Sequence, residues 1–242
     1  MLISGRRVAF AAMIFCFGVF GAVLAMRKRR TALITSVIAI IILAPYTAAF
    51  WNSESIIAEP AQAIRSQISP SERDASSDLY RIIERHNVHQ TIRSAPLMGI
   101  GFGQQFYEFI PMISLGHFDM LQKYTPHANF LWIWLKVGAG GFAAWCLLII
   151  LAIFQLGQIA RYGKEGPEFS LVVLAGIFIA SWLVYVYYDI GAVDARLMYF
   201  LGVCFALIDI AYRRLENQAK AKKNPFSLNQ SKKLFQVELT KN

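Results

Sequence analysis

Apolar residues in this chain come in five long blocks. Residues 8–26, 32–50 and 169–188 carry no charge, residues 129–158 carry only Lys136, and residues 197–212 carry only Asp209. A helix crosses a bilayer with about 20 mostly apolar residues. The blocks therefore predict an all-α, polytopic membrane protein with about five transmembrane helices. Trp51 follows the second block, and Trp182, Tyr185, Tyr187 and Tyr188 end the fourth. Such aromatic ends suit the interfacial belts of membrane proteins. Residues 1–212 form the predicted transmembrane domain, interrupted by one long polar loop over 51–128, and residues 213–242 form a basic tail.

Composition agrees with the blocks. The chain is 56% hydrophobic and 16% charged, against about 45–50% apolar and about 25% charged for a soluble domain. At 242 residues, a single anchor carrying a large soluble enzyme is excluded. Three cysteines do not make a disulfide scaffold, and Cys16, Cys146 and Cys204 all lie in predicted spans, where they read as small apolar residues. The formal charge of +9 is first of all a topology signal. Arg27 to Arg30, Arg161, Lys164 and the residues beyond span five supply fourteen of the 24 basic residues, all on one side of a five-span arrangement. The positive-inside rule makes that side cytoplasmic. The 51–128 loop then lies outside, in the periplasm of a bacterial inner membrane, with six basic and eight acidic residues. Arg6 and Arg7 also fall outside, against the rule, as expected of the C-terminal part of a longer protein. A signal peptide over 1–26 competes, but a basic block and a second span follow it at once. The basic residues flank spans and belong to no binding module, so nucleic acid is not a partner. The stretch 218–242 reads as disordered or lipid-associated.

All four histidines, His86, His89, His117 and His127, lie in the loop. Polar residues must collect outside the membrane, so pattern rather than abundance has to carry any chemistry. Pro70 and residues 71–74 read as a turn with a capping box. Residues 78–94 read as a helix with Arg81, Arg85 and His89 on one face and Leu79, Ile82, Ile83 and Ile92 available to face the membrane domain. His86 and His89 have the spacing of a ligand pair, but no metal site is predicted. Residues 95–103, APLMGIGFG, place Gly99, Gly101 and Gly103 at alternate positions. No strand precedes them, so this is not a dinucleotide fingerprint. Tight turning and close backbone packing explain the glycines, and N–H groups exposed to an anion remain a second reading. His127 stands at the mouth of the third span. Lys136 follows about 13 Å along the helix, where it either snorkels or faces a functional cavity. Gly138, Gly140 and Gly141 then permit close helix contact. Asp189, Asp194 and Arg196 lie on the link between spans four and five, where an Asp194–Arg196 pairing is the simpler reading.

These residues together resemble the O-antigen ligase and O-antigen polymerase superfamily of bacterial inner-membrane glycosyltransferases, over roughly residues 77–212. The resemblance is carried by His127-Ala128, nine residues and Gly138-Ala139-Gly140-Gly141, and by an arginine-bearing loop helix leading into Pro96-Leu97-Met98-Gly99-Ile100-Gly101-Phe102-Gly103. Ala128 stands where the family commonly has Asn, with Asn129 one position on. Lys136 stands where many ligases have Glu, and a polysaccharide-polymerase branch looks similar with Lys.

The resemblance implies the C-terminal half of a GT-C-like transferase without cofactor. It would move a glycan from an undecaprenyl-diphosphate carrier onto a sugar hydroxyl or a lipid-linked acceptor, in ligation or polymerisation. His127 and Arg81 are the implied catalytic pair. Arg85, Arg93, Lys136, Gly99, Gly101 and Gly103 are the candidate diphosphate-binding residues. Membrane lipid and other polysaccharide-assembly membrane proteins are candidate partners. The competing readings are a non-catalytic or truncated membrane protein that binds polyprenyl-linked glycan, and, last, a small transporter. A transporter would carry charges in several spans and a repeat, and here only Lys136 and Asp209 are intramembrane.

Overall fold

The computed structural model describes residues 2–53, 55–68, 72–112, 123–188 and 192–223. These residues form seven α-helices and a short 3-10 turn, with no strand among them. Helices α1 (Leu2–Arg27), α2 (Arg29–Ala49), α5 (Asn129–Tyr162), α6 (Pro167–Tyr188) and α7 (Ala195–Lys223) are each long and apolar enough to cross a membrane. The protein is a polytopic helical membrane protein, as the five blocks predict. Between the second and third spans lie the turn Ile56–Ala58, α3 (Glu59–Ile68) and α4 (Glu72–Ser94).

Helix α6 is apolar on all sides, and α1, α5 and α7 pack around it. The bundle core joins Ile149, Ala152 and Ile159 of α5, Val172, Ala175, Ile179, Trp182 and Val186 of α6, and Leu201, Cys204 and Ile208 of α7. A Cβ on Gly176 would stand 2.3 Å from a Leu156 methyl, so this glycine is where α5 and α6 approach closely. Helix α2 packs on α1 and α3 and leaves Leu33, Ile34, Val37, Ile40 and Ile41 exposed to what would be lipid.

Chain direction alternates through the bundle. The start of α5, the end of α6 and the 51–128 loop share one side. The α1–α2 corner, the α5–α6 link and the end of α7 share the other. Arg27 clasps the C-terminal end of α5 there. Its Nε donates to the Ala160 carbonyl at 2.7 Å and its Nη2 to the carbonyls of Ile159, at 3.2 Å, and Gly163, while the guanidinium lies 3.9 Å from the Phe169 ring centroid. A cation on the free carbonyls of a helix end is favourably placed against the helix dipole.

One expectation needs correction, and two features go beyond the sequence reading. Gly138, at φ +69° and ψ −174°, breaks α5 into a short segment 129–137 and a long one 139–162. Gly140 and Gly141 do not serve close helix contact. A Cβ on Gly140 would meet nothing within 4 Å, and one on Gly141 would meet only its own helix's Val137. Helix α7 runs on past residue 212 to Lys223, with Arg213 paired to Asp209 at 2.7 Å and Lys220 to Glu216 at 2.7 Å. Residues 224–242 lie outside the described residues.

Candidate active site

The loop helix α4 is longer than its periodic pattern, running over Glu72–Ser94. Pro70 and Ser71, which carry the expected capping turn, lie outside the described residues. The aliphatic residues mark the buried face of α4 only in part. Leu79 and Ile82 are exposed, Ile83 is half-buried, and the buried set is Tyr80, Glu84, Asn87, Val88, Thr91 and Ile92. Val88 and Ile92 meet Phe106 and Leu135 in a small core shared by α4, the glycine segment and the start of α5.

Beside that core runs a polar stripe in which each member holds a different part of the loop. Thr91 Oγ1 accepts the Tyr107 N–H at 3.0 Å. Asn87 Oδ1 accepts the N–H groups of Phe109 (3.0 Å) and Ile110 (2.9 Å), and its Nδ2 donates to the Ile110 carbonyl at 2.8 Å. Glu84, 1% exposed, holds His127: one carboxylate oxygen accepts the His127 backbone N–H at 2.9 Å and the other faces Nδ1 at 3.2 Å. The Tyr80 ring stands edge-on to the imidazole, with centroids 6.0 Å apart.

The turn bearing His127 is fixed from below as well. Asn129 is fully buried. Its Nδ2 donates to the Pro126 carbonyl at 2.6 Å, and its Oδ1 accepts the Ala192 N–H at 2.9 Å, tying the α5 start to the α6–α7 link. Trp132 Nε1 donates to the Tyr124 carbonyl at 2.8 Å. Arg85 reaches the end of α6, with its guanidinium carbon 5.9 Å from the Tyr187 ring centroid. Glu84 thus holds His127 at one corner of the bundle, and Arg81 and Arg85 lie on α4 within one turn of Glu84.

The remaining candidates form a second group. Lys136 does not snorkel to the surface. It is 3% exposed, and its ammonium donates to the Gln104 carbonyl. The glycine segment docks on the break in α5. The Ile100 N–H donates to the Leu135 carbonyl at 2.7 Å, the Gly101 N–H to the Lys136 carbonyl at 3.1 Å, and the Ala139 N–H to the carbonyls of Pro96 (3.0 Å) and Leu97 (3.2 Å). The Gly99 N–H donates to Ala95. Gly99, Gly101 and Gly103 all have positive φ, between +68° and +85°. A Cβ on Gly99 would lie 2.6 Å from the Gly138 nitrogen, and one on Gly138 would lie 2.1 Å from the Leu97 oxygen. The two glycine motifs are therefore the two halves of one backbone interlock. Arg93 is exposed in the last turn of α4, about 13 Å along the helix from Glu84. His86 and His89 are exposed, and His117 and Asp189 lie outside the described residues. Asp194 does not pair with the Arg196 side chain. Its carboxylate accepts the Arg196 backbone N–H at 2.9 Å and caps the start of α7.

Glu84 is the residue that sequence reasoning missed. Its signal was present, because Glu84, Asn87 and Thr91 recur at the helical period, but a polar stripe on a loop helix reads first as a solvent face.

Neither a curated protein nor a solved structure matches the chain. A family model does, and it is described as O-Antigen ligase. The match runs over residues 1–146, taking in both N-terminal spans, α4, the glycine segment and the motif from His127 to Gly141. Its limits differ from those of the resemblance: residues 1–76 lie within the match, and residues 147–212 lie beyond it. With more than half of its length matched, this chain belongs to the O-antigen ligase family.

Proposed function

We propose that this protein is a glycosyltransferase that moves an undecaprenyl-diphosphate-linked glycan onto an acceptor sugar hydroxyl, on the loop side of the membrane, in ligation or polymerisation of surface polysaccharide. The observation that carries this reading is the two-point hold of the buried Glu84 carboxylate on His127. With Nδ1–H donated to the carboxylate, the Nε2 lone pair is left to accept a proton, and the carboxylate stabilises the imidazolium that forms. In the transfer, the acceptor oxygen bonds to the anomeric carbon while its proton passes to Nε2. The bond from the anomeric carbon to the diphosphate oxygen breaks, and its electron pair leaves with undecaprenyl diphosphate. His127 then returns its proton to solvent or to the leaving diphosphate.

Arginine suits the charge that develops on that leaving group, since its planar fork matches phosphate oxygens. Arg81 lies one turn before Glu84 and Arg85 one position after it, so both belong to the His127 corner. Arg93 and Lys136 lie too far along their helices to meet the same phosphate from these positions, and in this reading they serve the glycan path or the scaffold. Gly99 and Gly101, whose N–H groups are engaged within the chain, shape the loop, and Gly103 remains the segment's candidate for backbone contact with the anion. The side bearing Arg27 to Arg30 is cytoplasmic and the loop side periplasmic, on the distribution of basic residues.

The test uses the protein in lipid nanodiscs, a synthetic undecaprenyl-diphosphate oligosaccharide, and either lipid A–core or a second donor as acceptor. Glycan transfer with release of undecaprenyl diphosphate is expected. The His127→Ala variant should lose about 100-fold or more in turnover while keeping its melting temperature. Full turnover in that variant would remove His127 from the chemistry, and donor binding without turnover in the wild type would replace a transferase by a glycan-binding protein. The acceptor that is consumed separates ligase from polymerase.

A further inference from the structure

The glycine segment has a feature that neither the interlock nor the transfer chemistry uses. Leu97 is 73% exposed and Met98 85% exposed, on a segment that is otherwise firmly held. The Pro96 and Leu97 carbonyls both accept the Ala139 N–H, the Trp134 indole donates to the Pro96 carbonyl at 3.0 Å, and the Ile100 and Gly101 amides donate to the carbonyls of Leu135 and Lys136. Two large apolar side chains are thus fixed outward on a rigid turn.

The depth of that turn is set by α5. Beyond the break at Gly138, residues 139–162 remain, about 36 Å of helix, which matches a hydrocarbon core about 30 Å thick with little to spare. At the far end, Arg27, Arg161 and Tyr162 mark the opposite interface. Ala139, and with it Pro96 and Leu97, therefore stands where the bilayer begins on the loop side. Trp134 stacks on Phe142 at 5.3 Å and 14°, and Phe142 on Trp145 at 6.0 Å and 22°, so an aromatic series runs from the segment into the span, as at membrane interfaces generally. The exposed face of α5, with Ala143, Leu147 and Leu151, opens within two turns of Gly138. Docked on Gly138 and Ala139, Leu97 and Met98 stand at the loop-side end of that exposed face.

We propose that Leu97 and Met98 insert into the loop-side leaflet, at the boundary of headgroups and acyl chains, and that the glycine segment anchors the loop to the membrane surface. The partner is phospholipid. The inference rests on the spans crossing a bilayer and is independent of the transfer chemistry.

Hydroxyl-radical footprinting of the full chain in single-copy nanodiscs tests it, with methionine oxidation read by mass spectrometry and no glycan present. Met13 of α1 serves as the lipid-facing reference. A Gln105→Met variant supplies a water-facing reference on the same loop, where Gln105 is exposed. Met98 should oxidise as slowly as Met13 and several-fold more slowly than the residue introduced at 105. In a cysteine-free background, a fluorophore on Met98→Cys should be quenched by lipids labelled high on the acyl chain and spared by aqueous iodide. Oxidation of Met98 at the rate of position 105, or quenching by iodide alone, overturns the proposal. So does protection that appears only in discs holding two copies, which would make the face a contact between chains.

Discussion

Replacing Gly138 by Ala tests whether the two glycine motifs are one interlock. The residue sits at φ +69° and ψ −174°, a conformation that costs a non-glycine residue about 1–3 kcal/mol. The added methyl would also stand 2.1 Å from the Leu97 oxygen and 2.6 Å from the Leu97 and Met98 carbonyl carbons. These are backbone atoms, so no rotamer change relieves the overlap, and residues 96–101 must lift away. Three backbone attachments then fail, those of Ile100, Gly101 and Ala139, at about 1 kcal/mol each. The total is about 4–6 kcal/mol, a large share of the roughly 5–15 kcal/mol that holds a typical domain.

Gly140→Ala is the matched control. Its methyl meets nothing within 4 Å, and in a helix the change is worth about 0.5–1 kcal/mol of added stability. Hydrogen exchange in nanodiscs should show the Ile100, Gly101 and Ala139 amides losing protection in the first variant only, with the melting temperature lower by on the order of 10 °C. Equal exchange and equal melting in the two variants would refute the interlock.

Substitutions at three further positions probe the supports of the site and of the opposite end of the bundle. Asn129→Ala leaves the Ala192 N–H and the Pro126 carbonyl without their side-chain partner, so it should cost about 1–3 kcal/mol, read as a lower melting temperature and faster exchange at Ala192. Asn87→Ala releases two amides and a carbonyl of Phe109 and Ile110, and limited proteolysis should cut near 107–110 several-fold faster while the spans stay intact. Arg27→Lys keeps the charge at the end of α5 but loses the fork that reaches three carbonyls. It should destabilise by about 1 kcal/mol, and Arg27→Ala by about 2 kcal/mol, measured by thermal unfolding in lipid.

What was legible in the sequence followed from block hydrophobicity. A run such as residues 169–188 can satisfy its backbone in lipid only as a helix, so the number and order of the spans could be read without tertiary knowledge. The loop was read less well because its organisation lies in side-chain-to-backbone bonds. The aliphatic residues Leu79 and Ile82 seemed to mark the buried face of α4, but its packing is set by three polar residues whose partners lie 16 to 43 positions away. No local pattern reports such a partner. The Gly138 break was hidden for a related reason. Lys136 and the glycines after it continue an apolar run, and only the docked segment 96–101 supplies donors for the carbonyls that the break releases.

The two ends of the bundle are held by different kinds of interaction, and the difference bears on where chemistry can be placed. At the far end, besides Arg27, exposed ion pairs join the elements: Arg214 with Glu168 at 2.7 Å and Lys28 with Glu165 at 3.4 Å. Exposed pairs contribute about 0–1 kcal/mol and are screened by salt, so they leave the links they join free to move. At the loop end the ties are made by the buried side chains of Glu84, Asn87, Thr91 and Asn129, each to a backbone group of another segment. Breaking one leaves a buried polar side chain without its partner, which costs about 1–3 kcal/mol. A reacting group has to be held to within about half an ångström by the residues behind it. The loop end supplies such support, and His127 is the titratable side chain that its buried carboxylate holds.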